Sequence, residues 1–510
     1  MNKSNPFEPV PQLFLFRPDT EFGEYCKLMD DVVRENPSIL TLIEKDLELH
    51  GKLKKQSRLR DKQWKENKKA RLPGTNPINT PIKVATLSLK EGRPRMTSYT
   101  AYIFLIGRGY YGGIKSSDGA VFTRESKTLH IFLANQGINM PSANCVYDNI
   151  NAISNKTRDY ILDAQVNYIM EKQWDDFKTL TADSTAISGN VSWPKDSTII
   201  WQLSVRIFKS GKTLYLYGIR NMGNRYFKRL LKELKSLSNK INMESGKTHS
   251  IKKRRKYYRK LLSTSKEINQ LFEKELTVIN QSVERVILKP TKKDTLDRLV
   301  LMIETDIATL KRVEQYCRNR IFNEETLPAK DKIMSISDKD AAYIQKGNRE
   351  AYIGYKTQLV RSENGFISSI IIPNGNQSDS SQLLPLINQT MSRTSVIPDE
   401  VSVDDGYTSK DNRNSLLQKN IKVVSFSGSK GKKITPEDQW ESLEYQAARN
   451  NRSAVESMMY LIKHKFDFGR VLRRGINNVT AELLEKVLAY NLCRIIQVSA
   501  KQKVPLKLVA

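Results

Sequence analysis

A mixed α/β domain joined to a largely helical one is the fold class predicted by this 510-residue sequence. Three observations predict it. After about residue 345, two apolar runs in EAYIGYKTQLVRSENGFISSIIIPNGN flank a turn at Glu363-Asn364-Gly365, the pattern of a strand, a turn and a second strand. Short strands and helices then alternate, which with the hairpin makes a mixed sheet with helices on its faces. Before them, roughly 195–330 is a long run of helix-forming residues with no strand pattern.

The elements follow in order. Residues 45–71, KDLELHGKLKKQSRLRDKQWKENKKAR, are basic and helix-forming, and the breaker run LPGTNPINTP follows them. They read either as a solvated helix or as an arm along a DNA backbone. Residues 119–155 read as short helices around a turn at Gly137, with Pro141 and a helix capped by Ser142, so a helix-turn-helix is expected there. FKTLTADSTAISGNVSW, residues 177–193, leans towards strand. Within 225–260 there are 14 Lys and Arg against Glu233 and Glu244. The centre of that stretch, IKKRRKYYRKLL, sets Lys252, Lys253, Arg254, Arg255 and Lys256 beside two tyrosines, a combination suited to phosphate contacts with some stacking. Beyond the hairpin, SDSSQLLPLINQTMSR is a helix with Ser378 or Asp379 as its cap. EVSVDDGYT is a strand ending in two aspartates, SKDNRNSLLQKN a helix and IKVVSFSG a strand. NRSAVESMMYLIKHKFDFGR is the next helix. At about 100° per residue, Arg452, Glu456, Tyr460 and Lys463 share one stripe, and Ala454, Val455, Met458, Leu461 and Ile462 form the rest.

Charge and composition narrow the partners. Lys and Arg exceed Asp and Glu by 29, which favours a polyanion, nucleic acid before an anionic membrane surface. No apolar run approaches the roughly 20 residues that cross a bilayer, and the N-terminus lacks a secretory segment. Cys26, Cys145, Cys317 and Cys493 lie far apart, as do His50, His130, His249 and His464, so neither zinc nor a histidine-held metal is expected. A bound metal would need carboxylates, which points to Mg²⁺ or Mn²⁺. Asp404 and Asp405 sit where a strand ends, a place where ligands of α/β sheets collect, although Asp-Asp-Gly-Tyr is also good turn chemistry. Glu456 alone would be a surface residue paired with Arg452. Taken together, carboxylates from a strand end and a helix can hold two Mg²⁺ ions about 3.5–4 Å apart for phosphodiester chemistry.

At these residues the sequence resembles the DDE transposases of bacterial insertion sequences, the ISNCY-type and related groups. Four stretches carry the resemblance: LTADSTAISGNVSWPKDSTIIW, YIGYKTQLVRSENGFISSIIIPNGNQSD, VSVDDGYTSKDN and RSAVESMMYLIKHKFDFGRVLRRG. The resemblance implies an RNase H-like catalytic core with a large helical insertion after its first strand and an N-terminal helical DNA-binding region. It implies Asp183, Asp404 and Glu456 as catalytic residues and ligands of two Mg²⁺ ions, Mn²⁺ being a substitute. Asp404 is preferred over Asp405 because the family's aspartate stands two residues before the Gly-Tyr pair; Asp196 is a rival of Asp183. A related signature, Tyr-x₂-Arg-x₃-Glu-x₆-Lys, matches Arg452, Glu456 and Lys463, while its tyrosine position holds Arg449. Arg452 and Lys463 are then expected on DNA phosphates beside the metals.

The expected divisions are a basic arm (1–95), a helix-turn-helix-like DNA-binding domain (96–170), the first part of the core (171–209), the basic insertion (210–330), the rest of the core (331–475) and a C-terminal helix and tail (476–510). The expected partners are duplex DNA, as element ends and as target, and further copies of the chain in a dimer or higher assembly, in the bacterial cytoplasm at the nucleoid and with no membrane. Two other readings share these residues: an RNase H-like nuclease acting on branched DNA, and a catalytically silent DNA-binding descendant of a transposase.

Overall fold

A computed structural model describes residues 20–70, 96–111, 126–193, 195–219, 225–245, 251–325, 333–345 and 351–503. The expected breaker run at 72–81 and the first residues of the 119–155 segment lie outside them. The chain forms two compact units: residues 1–50, 94–191 and 340–510 make the first, and 51–93 and 192–339 the second.

The first unit begins with helices α1 (Glu21–Glu35), α2 (Ser38–Ala70, which belongs to this unit as far as His50) and α3 (Ser98–Tyr110). Next come α4 (Lys127–Ala134), α5 (Ala143–Ala152) and α6 (Asn155–Glu171). The turn between α4 and α5 passes through Gly137 at φ +70°, and the Ser142 hydroxyl accepts the Cys145 amide at 3.3 Å, as the sequence predicts for a capped helix. Six strands make one mixed sheet. β1 (Thr179–Ser188) runs antiparallel to β3 (Tyr352–Ser362) and parallel to β5 (Glu400–Val403), and β5 runs parallel to β6 (Val423–Phe426). β2 (Ala342–Ile344) and β4 (Ile367–Ile371) both pair with β3. The hairpin predicted around residues 363–365 is therefore β3–β4, turned at Gly365 with φ +89°. Gly354 is required for the central pairing: a Cβ there would stand 2.0 Å from the Ile187 carbonyl oxygen of β1.

Burial explains why β1 and β3 resist a simple alternating pattern. Six of the ten residues of β1 and nine of the eleven of β3 are buried, on both faces, and the buried set includes Thr357 and Gln358. The helix Ile476–Lys503 packs against α3, α6 and α1. Leu383–Thr394, here α11, lies on β3 and β4. Its expected cap differs. A short 3₁₀ turn precedes α11 and no side chain caps it, because the Asp379 carboxylate is drawn to Gln358 and Lys356 instead.

The second unit is built by α7 (Asp196–Thr213), α8 (Arg225–Met243), α9 (Ile251–Arg285) and α10 (Pro290–Phe322). Their apolar stripes enclose one core that includes Leu203, Leu234, Leu261, Phe272, Ile303 and Leu310. Tyr258 is buried in it, so this tyrosine of the basic stretch has no face free for stacking, contrary to the sequence expectation. The expected rival aspartate, Asp196, opens α7 and pairs with Arg320.

Candidate active site

β1 and β5 are neighbours in parallel register, with Ala182 opposite Val403. One residue further along each strand stand Asp183 and Asp404. Both line a cavity of about 680 Å³ together with Glu456, Arg452 and Lys463. The sheet register thus brings two of the sequence-predicted carboxylates side by side.

The third comes from the other wall. Helix α12 (Lys410–Gln418) joins β5 to β6, and after β6 the chain runs through α13 (Ser429–Ile434), α14 (Glu437–Trp440), α15 (Leu443–Asn451) and α16 (Ala454–Lys465). The stretch expected as one helix from Asn451 onward is therefore broken at Arg452-Ser453. Both residues keep helical backbone angles, so the four-residue spacing from Arg452 to Glu456 survives the break. The Arg452 guanidinium pairs with Glu456 at 3.0 Å, and Glu456 stays 67% exposed. Val455, Met458 and Ile462 seat α16 as expected; Leu461 is 40% exposed, and Met459 is buried in its place.

Asp404 and Asp405 part company at the strand end. Asp404 accepts the Gly406 amide at 2.9 Å and faces the cavity. Asp405 turns away, accepting the Lys430 amide at 3.1 Å and the Gly431 amide at 3.0 Å in the first turn of α13. A helix start offers exactly such unsatisfied amides to a carboxylate.

A fourth carboxylate, absent from the expected set, stands beside Asp404. Asp379 pairs with Lys356 at 2.9 Å and accepts from Gln358 at 2.6 Å; an added Cβ on Gly406 would touch both Asp379 and Asp404. The Tyr407 hydroxyl donates to the other side of Gln358. Burial, then the charges of Asp379, Asp183 and Asp404, push that hydroxyl well above the usual phenol range, so it remains a donor. Sequence reasoning took Ser378 or Asp379 for a helix cap. Its partners, Lys356 and Gln358, are two residues apart on β3, a same-face spacing that could have flagged them.

The further residues lining the cavity include three rings, those of Tyr352, Tyr460 and His464. Tyr460 and His464 face each other with ring centres 4.1 Å apart. Tyr460 was visible on the Arg452–Glu456 stripe; His464, four residues on, follows from the same spacing. Arg449, which replaces the tyrosine of the related signature, lies over the Trp440 ring at 4.5 Å. Of the basic set expected on DNA, Lys253 pairs with Glu244 at 2.8 Å and Arg255 with Glu324, while Lys252 and Lys256 are exposed on α9; Arg254 is half-buried.

Among the described residues no three His, Cys, Asp or Glu side chains are gathered closely enough to hold an ion as they stand. Asp183 and Asp404 nevertheless present oxygen donors suited to a hard dication. Glu456, on the same cavity, is held by Arg452 in an exposed pair worth only about 0.3–0.5 kcal/mol.

Residues 324–492 match the family model of the transposase DDE domain. That segment is therefore similar to the DDE domain found in transposases of insertion-sequence type. The matched segment contains Asp404 and Glu456, and Asp183 lies before it. No curated protein and no solved structure matches the chain. A DDE domain implies an RNase H-like core, and the mixed sheet with flanking helices agrees with one. Transposases of this type generally use divalent metal ions, typically Mg²⁺. Among the described residues no helix is long and apolar enough to cross a membrane.

Proposed function

We propose that the transposase binds the terminal inverted repeats of its own element, cuts the phosphodiester at each end and joins the freed 3′ end to target DNA. The observation that carries this reading is the meeting of Asp183, Asp404 and Glu456 at one cavity whose walls also hold Arg452 and Lys463. Asp183 and Asp404 are the ligands offered by the sheet, and Glu456 the ligand offered by α16. Divalent ions bound there, two per site, supply Lewis acidity and lower the pKa of an attacking water.

The chain's own residues do the rest. Arg452 binds one strand phosphate and Lys463 another, so the scissile bond is held in line. Tyr460, His464 and Tyr352 offer ring faces to bases displaced near the cut. Lys356 and Gln358 restrain Asp379, and Tyr407 restrains Gln358, so the wall behind Asp404 is kept rigid. Lys252, Lys253, Arg254, Arg255 and Lys256, in an insertion between the first core strand and the rest of the core, add phosphate contacts. The helices of 96–170 recognise the end, and two or more copies pair both ends in the bacterial cytoplasm.

The test uses labelled duplex carrying the element's end, with Mg²⁺. Wild type nicks the end and joins it; Asp404→Asn and Glu456→Gln bind the duplex and cut about 10³-fold more slowly, the scale of losing a charge-stabilising group. Asp405→Asn retains the cutting rate within about tenfold, because that carboxylate serves α13. Cutting by Asp404→Asn at the wild-type rate sinks the site assignment, and cutting of branched DNA in preference to ends favours a junction nuclease.

A further inference from the structure

The first unit carries a second cavity, of about 910 Å³, that shares no residue with the carboxylate cavity. It is framed by the start of α6, by Asn190 beyond β1, and by residues 472–474 leading into the helix Ile476–Lys503, here α17. Four cations line it, Lys156, Arg158, Arg473 and Arg474, and no carboxylate does.

The carboxylates nearby are engaged elsewhere. Glu485 is buried beneath the cavity and holds three guanidiniums, those of Arg108, Arg158 at 2.9 Å and Arg473 at 2.8 Å. Glu482 pairs with Lys486 at 3.0 Å and accepts the amides of Leu472 and Arg473. Asp46 accepts from Ser154 and Thr157, and Asp340 from the Ile476 amide. One carboxylate against three arginines leaves an excess of positive charge at the floor. Lys156 and Arg474 add exposed cations at the mouth, and the Arg474 Nε donates to the Asn190 carbonyl oxygen at 2.9 Å.

The remaining lining is unlike a plain phosphate groove. Asn155, Asn190 and Asn478 each spend an amide NH₂ on a backbone carbonyl, which fixes the side chains and keeps an amide oxygen as acceptor. Tyr147, 41% exposed, presents a ring at the edge. The volume falls in the range of about 300–1,000 Å³ typical of pockets for small ligands. Cations for phosphates, fixed amides for base edges and an exposed ring for stacking are the requirements of a nucleotide that has left the duplex stack.

We infer that this cavity takes one unpaired nucleotide of a DNA strand, with flanking phosphates on Lys156 and Arg474 and the base against Tyr147. The inference rests on the reading of the protein as a DNA-acting transposase. It adds a strand-binding site apart from the one where the strand is cut.

The experiment uses the full chain with Asp404→Asn as background, without divalent metal, so that nothing is cut. Two duplexes of one sequence are compared, one uninterrupted and one gapped to leave a single 2-aminopurine nucleotide unpaired. The gapped duplex binds about tenfold tighter and its 2-aminopurine is quenched, as stacking on an aromatic ring requires. Adding Lys156→Gln and Arg474→Gln, both exposed positions, abolishes the preference, so that the gapped and uninterrupted duplexes bind with affinities within about twofold of each other. Tyr147→Ala removes the quench and keeps the circular dichroism spectrum. A gapped-duplex preference that survives the double substitution overturns the inference, as does millimolar inorganic phosphate competing as well as a dinucleotide. A wild type that cuts ends but shows no preference defeats this inference alone; one that binds no DNA defeats the transposase reading with it.

Discussion

The sheet unit and the helical unit both carry charge in quantity and dispose of it in opposite ways. In the sheet unit ionised groups are drawn inside and tied: Glu485 with three arginines, Asp379 with Lys356, and Arg393 with Asp159 and Asp163. In the helical unit the interior is mostly aliphatic and aromatic, with buried exceptions such as Asp306 held by Arg206. Its cations stay outside in single pairs such as Lys260–Glu233 at 3.0 Å. The difference separates two uses of charge. A carboxylate that must stand at a set distance from a reacting bond needs a buried polar frame behind it. A surface that neutralises a polyanion needs density of charge, and exposed helix faces supply that without any frame.

The comparison breaks most visibly at its two interiors. Glu485→Ala strands buried Arg108 and Arg158 without their counter-charge, and costs about 3–5 kcal/mol. Phe272→Ala opens a hole in the helical core where Phe272 stacks on Phe227 at 5.4 Å, and costs a similar 3–5 kcal/mol. Hydrogen exchange tells the two apart. The first substitution lowers protection in α3, α6 and α17, the second in α8, α9 and α10. Protection lost uniformly along the chain by either substitution would contradict two separately framed interiors.

A smaller effect tests the outer charge. Lys252→Gln and Lys256→Gln, on exposed positions of α9, weaken duplex binding equally for all sequences. Each lowers the slope of log affinity against log salt by about one. Titrations of duplex at several salt concentrations measure this, and an unchanged slope removes α9 from the DNA surface.

The same contrast explains what the sequence could and could not reveal. The mixed sheet was legible because β5 and β6 are short apolar runs between helices, and the β3–β4 turn is marked by Asn364-Gly365. Asp404 was legible by its place at a strand end. Asp183 was harder, because β1 is covered on both faces and loses the alternation that advertises a strand. The frame behind the site was illegible: Lys356, Gln358, Asp379 and Tyr407 are spread over 52 residues and meet only when β3, the 3₁₀ turn and the β5 end are assembled. Tyr258 misled for a related reason. A basic stretch with aromatic residues reads as a binding face until the helical stripe shows which of them turns inward.

The smallest effect lies where the helical unit does tie a carboxylate down. Asp61, on the later part of α2, accepts the Thr291 amide at 3.0 Å and hydroxyl at 2.6 Å and pairs with Lys289 at 3.0 Å, at the start of α10. Burial alone would raise its pKa; the Thr291 bonds and the Lys289 ammonium outweigh that and pull it down to about 2 from 3.8. A carboxylate with a depressed folded-state pKa contributes stability that is complete above its unfolded value and disappears as pH falls through the folded one. The contribution is thus present above about pH 4 and lost between about pH 4 and 2, and for a part-buried carboxylate at the surface of the unit it amounts to about 1 kcal/mol. Asp61→Asn should remove it at neutral pH and flatten the acid limb of the helical unit's unfolding curve. An acid limb identical to that of wild type would mean that Asp61 titrates as freely in the fold as out of it, and that the helical unit ties down none of its outer charge here.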